Sequence, residues 1–397
     1  MQTGFARTAI LLGLLCSIGP FAIDMYLPAM PAIASDLATD SAGVQTTLVA
    51  YFAAFGVAQL FYGPLADMWG RKPPLYLGLA LFLAGTLGCV LAPSIGWLIA
   101  SRFVQGLGGA AVMVIPRAIV RDLYTGAQAT RLMALIMLVI SVSPMLAPLA
   151  GSGMVALAGW RAVFGAMIVA TMLSLALTAF VLPETLPPDS REPVDLAHLL
   201  RGSRVLMGDI AFMGLTFVGG FGMASFFVFV ASASFIYTGF YGLSPTGFSL
   251  AFAVNAIGFF AASQFAATIG ERFGMARMVV LATTGFFVFA ATLLAVSLYA
   301  QPSLAFLVIM LILANACLGL VIPTAMVMAL DDHGDMAGLA SSLGGTLQMM
   351  VGAVMIAIAS PFLDGSPRPM VVVIAICALI ALALALTTLQ RRQPAAA

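Results

Sequence analysis

The sequence predicts an all-α polytopic membrane protein with twelve transmembrane helices in two six-helix halves. Three observations carry that reading. Of the 397 residues, 62% are hydrophobic and only 8% are charged, whereas a soluble domain carries about 25% charged residues. The apolar runs reach about 20 residues, the length needed to cross a hydrocarbon core about 30 Å thick. The one long hydrophilic stretch, 183–206, falls mid-chain and holds Glu184, Asp189, Arg191, Glu192, Asp195, Arg201 and Arg204.

Charges and Pro/Gly punctuation divide the chain into runs near 8–30, 44–66, 74–92, 96–118, 132–156 and 162–182. After the hydrophilic stretch come 207–237, 246–269, 277–299, 303–329, 338–362 and 370–390. These are much longer than the strands of about ten alternating residues found in outer-membrane barrels. The first run follows Arg7 and contains Pro20 and Asp24. It is too long and too interrupted for a cleaved leader and reads as a spanning helix. The domain organisation expected is an N-terminal half, 1–182, a cytoplasmic linker, 183–206, and a C-terminal half, 207–397.

Charge orients the helices. With the N-terminus in the cytoplasm, Arg7, Arg71, Lys72, Arg117, Arg121, Arg131, Arg191, Arg201, Arg204, Arg272, Arg277, Arg391 and Arg392 fall on the cytoplasmic side. Only Arg161 and Arg368 fall outside, and Arg102 lies within the membrane. The positive-inside bias therefore places both termini in the cytoplasm. The loop with Asp331, Asp332, His333 and Asp335 is acidic and departs from it. A net charge of +1 gives no electrostatic case for nucleic acid. Cys16, Cys89, Cys317 and Cys377 lie inside apolar runs without CxxC spacing, so they read as small hydrophobes rather than disulfides or metal ligands.

The chain repeats itself. The loop after the second run reads Gly63-Pro64-Leu65-Ala66-Asp67-Met68-Trp69-Gly70-Arg71-Lys72. The loop after the eighth reads Gly270-Glu271-Arg272-Phe273-Gly274-Met275-Ala276-Arg277. An offset of 204 residues aligns Asp67 with Glu271 and Gly70 with Gly274. Gly63 and Gly70 suit a turn and a close helix approach. Asp67 suits capping of a helix N-terminus and pairing with Arg71 or Arg121.

The first of these loops resembles the major facilitator signature G-x-x-x-D-R-x-G-R-R/K, with Met68 where arginine is usual. Leu98, Arg102 and Gln105-Gly106-Leu107-Gly108-Gly109-Ala110-Ala111 resemble the superfamily's second motif. Pro144, Pro148 and Gly151 resemble the antiporter motif, with Ala147 and Ala150 replacing glycines. Ala22-Ile23-Asp24-Met25-Tyr26-Leu27-Pro28 looks like the Bcr/CflA drug–proton antiporters, which include bicyclomycin and phenicol exporters. Arg117, Arg121 with Asp122, Pro183-Glu184-Thr185 and Gly242-Leu243-Ser244-Pro245 add to the likeness. The resemblance spans nearly the whole chain. It implies two homologous halves about an axis along the membrane normal, alternating access in an inner membrane, and a monomer. It also implies a gate at Gly63, Asp67, Gly70, Arg71, Lys72, Arg121 and Asp122.

Ionisable residues at membrane depth default to function. Away from helix ends there are two, Asp24 and Arg102. Counted at 1.5 Å per residue, both lie at comparable depth in runs 1 and 4, which line the central cavity in this family. A carboxylate there is costly to keep ionised, which suits it to take up and release the coupling proton. Arg102 is expected to take part in coupling or gating, and the alternative for both is a structural Asp24–Arg102 ion pair locking two helices. Residues 210–270 and 278–330 hold no Asp, Glu, Lys or Arg, so carboxylate coupling belongs to the first half. The second half offers aromatics, Phe221 and Phe235 among them, whose broad contact area suits varied lipophilic ligands. Asn255 and Gln348 are uncharged polar residues that serve either as ligand contacts or as helix glue. Together with Met25, Tyr26 and Gln105 these are the expected cavity residues. The small residues Gly106, Gly108 and Gly109, with Pro144, Pro148 and Gly151, suggest a seam between runs 4 and 5 that packs closely and bends.

The expected function is proton-coupled efflux of small lipophilic drugs, with lipid bilayer, substrate and protons as its only partners and no cofactor beyond the proton gradient. The alternative is a facilitator that moves a small metabolite. No GxxxxGK is present for an ATP-driven pump, and both histidines lie in loops, which leaves no metal-ligand cluster for an enzyme.

Overall fold

A computed structural model describes residues 2–191 and 196–392. Glu192 and Asp195 lie outside the described residues, as do the side chains of His198, Arg391 and Arg392. Among the described residues every regular element is helical. The chain forms two compact units, Met1–Asp195 and Leu196–Ala397.

In the first unit the helices are α1 (Gln2–Asp24), the short α2 (Met30–Asp36), α3 (Ser41–Trp69), α4 (Lys72–Val90), α5 (Ile95–Leu123), α6 (Gly126–Ala158) and α7 (Arg161–Phe180). The second holds α8 (Leu196–Gly208), α9 (Ile210–Phe235), α10 (Pro245–Phe273), α11 (Met275–Tyr299), α12 (Leu304–Leu330), α13 (Ala337–Ala359) and α14 (Pro367–Arg392). The stretch Leu304–Phe362 is helical almost without a break over 59 residues. As one helix it would be roughly 90 Å long, three times a bilayer core. It is two spans, because the 3-10 turn Asp331–Met336 breaks it at non-helical His333. The protein is thus a multi-pass membrane protein with twelve spanning helices.

Ends are set by local chemistry. Asp40 accepts a bond from the Gly43 N–H to open α3, and Ser244 one from Gly247 to open α10. These caps are 204 residues apart, as the repeat requires, and both helices run 29 residues. Each satisfies a donor that the first turn leaves unpaired. Both helices stop at a glycine of left-handed φ, Gly70 at 91° and Gly274 at 86°, where a Cβ would be strained. In the first unit α5 packs on α3 and α4, α1 on α6, and α4 on α7. In the second, α12 packs on α10 and α11, α9 on α13, and α11 on α14.

Two stretches differ from the sequence reading. The first span, expected over 8–30, ends as a helix at Asp24. A 3-10 turn, Leu27–Ala29, and α2 follow, because Pro28 and Pro31 cannot donate backbone bonds. The expected linker, 183–206, is not uniform. From Leu196 onward it is helix α8, which belongs to the second unit. Leu206 is fully buried. A Cβ on Gly202 would meet a Leu339 side-chain carbon at 2.6 Å, so α8 lies hard against the start of α13.

Candidate functional site

The first unit buries a charge. Arg102, on α5, is 0% exposed. Its Nη1 donates to the Ala22 carbonyl at 3.1 Å and to Gln105 Oε1. The guanidinium carbon lies over two rings, 4.4 Å from the Tyr51 centroid and 4.7 Å from that of Tyr26. Desolvated cation–π contacts of this kind are worth about 2 kcal/mol or more. Arg102 Nε and Nη2 and the Tyr51 hydroxyl have no hydrogen-bond partner.

The surrounding shell orients these groups. Gln105 Nε2 donates to Thr86 Oγ1 at 2.8 Å, and Thr86 donates onward to the Phe82 carbonyl. Thr47 gives its hydroxyl proton to Val44, so Tyr26 is the donor in the 2.7 Å Tyr26–Thr47 bond. Sequence reasoning named Tyr26 and Gln105 and missed Tyr51, Thr86 and Thr47. A tyrosine or threonine in an apolar run carries no pattern that marks it.

Asp24 closes α1 and is buried. Its one bond among the described residues comes from the Ser143 hydroxyl, at 3.4 Å. No ion pair joins it to Arg102, so the structural pair considered from the sequence does not form. Arg102 instead bonds a backbone carbonyl and Gln105 through Nη1 and lies over two rings, with Nε and Nη2 left without partners.

Ser143 precedes Pro144 in the antiporter-like stretch of α6. Pro144 and Pro148 each remove a helical N–H. Gly151, one turn further, lies so close to the α1 end that a Cβ would meet the Met25 carbonyl oxygen at 2.3 Å. The motif therefore seats α6 on the Asp24–Met25 turn. This corrects the expected seam between runs 4 and 5. The glycines of α5 face α3 and α4, with a Cβ on Gly106 2.4 Å from the Tyr51 carbonyl oxygen and one on Gly108 2.3 Å from the Phe82 nitrogen.

At the basic end of this unit, Arg71 is buried and spans two helices. Its Nε and Nη2 grip both oxygens of Asp122 at 2.8 and 3.1 Å, and Nη1 bonds Asp67. Glu184, which sequence reasoning left without a role, caps α4. It accepts from the N–H groups of Arg71 at 2.8 Å and Lys72 at 3.0 Å, and the Lys72 ammonium bonds the Leu182 carbonyl. Burial pushes the Glu184 carboxyl up, but four backbone N–H donors, from Lys72, Arg71, Leu186 and Thr185, outweigh it and hold it below the usual carboxylate range.

Three expectations for this loop change. Asp67 stands in the last turn of α3, and the helix N-terminus is capped by Glu184 instead. Arg121 is exposed and outside the network. Gly63 sits in open helix surface with nothing near its missing Cβ, so only Gly70 has the steric role. In the second unit Glu271, Arg272 and Arg277 are exposed and form no ion pair among the described residues.

The second unit holds the remaining candidates. Asn255 is buried and donates to the Ala251 carbonyl at 3.0 Å and weakly to the Tyr237 hydroxyl at 3.4 Å. Beside it Phe229 and Phe252 stack with centroids 5.6 Å apart, and Phe248 joins them. Gln348, on α13, points its Nε2 at Gly219 of α9, where a Cβ would lie 2.6 Å away, and that nitrogen lacks a partner. Phe221 is half-buried near Phe217. Phe235 is half-buried at the end of α9, outside the stacked cluster.

Two pseudo-symmetric six-helix units, the signature loop and a buried arginine define a major facilitator transporter rather than an enzyme. The sequence profile of the Major Facilitator Superfamily matches residues 11–357, and the chain belongs to that superfamily. It is 35% identical over 360 residues to the uncharacterized MFS-type transporter YdgK of Bacillus subtilis, covering 89% of this chain and 88% of that one. It is 31% identical to a bicyclomycin resistance protein homolog of Haemophilus influenzae, covering 93% and 92%, in keeping with the Bcr/CflA type. A crystal structure of a D-xylose–proton symporter superposes with a TM-score of 0.73 over 96% of each chain at 12% identity, which shows the shared fold.

Proposed function

We propose that this transporter exports small lipophilic drugs, phenicol- or bicyclomycin-like, in exchange for protons. It works as a monomer in the inner membrane with both termini in the cytoplasm, and the proton gradient drives it without a bound cofactor. The observation that carries this reading is Asp24: a buried carboxyl group with one weak hydroxyl donor and no cation. A lone carboxylate in an apolar setting is costly to hold charged. Its protonation state is therefore governed by what enters around it, water or drug.

Arg102 supplies a buried guanidinium beside Asp24. Because rings and carbonyls hold it, it stays in place when Asp24 gains or loses its proton. The bicyclomycin-resistance relative supports the substrate class, and the stacked aromatic cluster of the second unit suits apolar ligands. The Arg71–Asp122–Asp67 network would fasten α3, α4 and α5 at the cytoplasmic side during the cycle.

The test is uptake of phenicols, bicyclic peptides and lipophilic cations into inside-out vesicles, with and without an imposed pH gradient. Gradient-driven accumulation that Asp24→Asn removes, with the variant still folded, is the expected result. Transport of a drug by Asp24→Asn at the wild-type gradient dependence would remove the coupling role. If no drug moves, a metabolite-carrying facilitator becomes the better reading.

A further inference from the structure

The basic end of the first unit contains a cavity of about 540 Å³ between the start of α1 and the ends of α5 and α7. Its walls are apolar, from Leu11, Leu123, Phe180 and Val181, and its mouth carries Arg7 and Tyr124. Tyr124 packs edge-on against Phe5 at 5.5 Å, and a second guanidinium, Arg131, lies over the Phe5 ring at 5.6 Å. Arg7 and Arg131 are exposed and make no ion pair among the described residues. The acids nearest in sequence are engaged elsewhere: Asp122 with Arg71 and Thr185, and Glu184 with the α4 N-terminus.

A bilayer supplies one kind of ligand that is anionic at one end and apolar at the other. We propose that this cavity binds an anionic phospholipid of the adjoining leaflet. The headgroup phosphate would sit at Arg7, with Arg131, which lies over the Phe5 ring that packs on Tyr124, as a second cation beside the cavity, and an acyl chain would lie along Leu11, Phe180 and Val181. Charge complementarity selects the lipid, since a basic pocket between helix ends draws anionic headgroups. The apolar walls favour lipid over free phosphate, because an acyl chain adds apolar contact along Leu11, Phe180 and Val181 that a phosphate lacks. The site is separate from Asp24 and Arg102 and does not depend on which drug is carried.

The experiment titrates purified full-length protein in detergent with dioctanoyl phosphatidylglycerol, followed by native mass spectrometry. Dioctanoyl phosphatidylcholine and glycerol 3-phosphate serve as comparisons. The glycerol lipid should be retained, the choline lipid much less, and glycerol 3-phosphate should not displace the first. Arg7→Ala should weaken binding about fivefold, as expected for one juxtamembrane cation, and Arg7→Ala with Arg131→Ala should weaken it further. Arg7→Lys should retain it, and Arg277→Ala, in the other unit, should leave it unchanged. Val181→Trp should block the groove with both cations still present. Equal binding of the choline lipid, wild-type affinity in the double variant, or displacement by glycerol 3-phosphate would each overturn the assignment.

Discussion

Arg102 donates to the carbonyl of Ala22, two residues before Asp24, yet the two charged side chains form no ion pair. The arginine is caged by Tyr26 and Tyr51, and the aspartate is left to Ser143. One of these side chains is held by several groups and the other by a single hydroxyl. That division separates this arrangement from a structural salt bridge, in which removing either partner strands the other.

The cage makes a prediction about Tyr51. Its hydroxyl has no partner, so Tyr51→Phe keeps the ring and should change thermal stability in detergent by less than about 1 kcal/mol. Tyr51→Ala removes a fully buried ring and one face of the cage and should cost about 3–5 kcal/mol. Equal effects of the two substitutions would show that the ring does not hold Arg102.

Helix approach makes a second prediction. Gly151→Ala drives a methyl group into the Met25 carbonyl, and Gly108→Ala one into the Phe82 backbone. Both should lower folded yield and transport. Gly153→Ala, two residues from Gly151 with nothing near it, should be neutral or slightly stabilising. The same contrast holds for Gly70→Ala against Gly63→Ala, since Gly70 combines a φ of 91° with a Glu184 oxygen 2.7 Å from its Cβ position.

The network at the signature loop should be uneven. The Asp122 side chain is 15% exposed and grips Arg71 twice, whereas Asp67 is 59% exposed. Asp122→Ala should therefore cost about 2–4 kcal/mol and Asp67→Asn about 1 kcal/mol or less. Asp67→Asn should slow turnover more than it weakens drug binding. A large affinity loss at unchanged turnover would contradict a gating role.

Glu184 predicts a pH effect. Its folded carboxyl titrates below the ordinary glutamate range, so its contribution is fully present above the unfolded value, near 4.3. That contribution is lost as pH falls through the lower folded value. Glu184→Gln should be less stable than wild type at pH 7, and the difference should shrink below about pH 4. A difference that grows on acidification would reverse the sign and remove the capping account.

Much of this was legible in the sequence. Runs of about 20 apolar residues mark spans without ambiguity, and Gly70 and Gly274 announce the repeat. Asp24 and Arg102 stand out because charge at membrane depth is rare. What escaped was which faces meet. In a helix that is apolar all round, no hydrophobic stripe separates core from lipid, so the glycines of α5 could not be assigned to α3 and α4 rather than α6. Tyr51 looked like any aromatic in an apolar run. The capping role of Glu184 depends on the chain folding back across more than a hundred residues to reach Lys72, which no local pattern reports.

The central claim is that Asp24 holds a proton whose release is linked to drug binding. Purified protein in weakly buffered detergent solution, mixed with a transported drug, tests it directly with a pH-sensitive dye. Wild type should release protons in proportion to drug bound, and Asp24→Asn should bind the drug with no release. Equal proton release from both proteins would place the coupling proton elsewhere and leave Asp24 a structural residue.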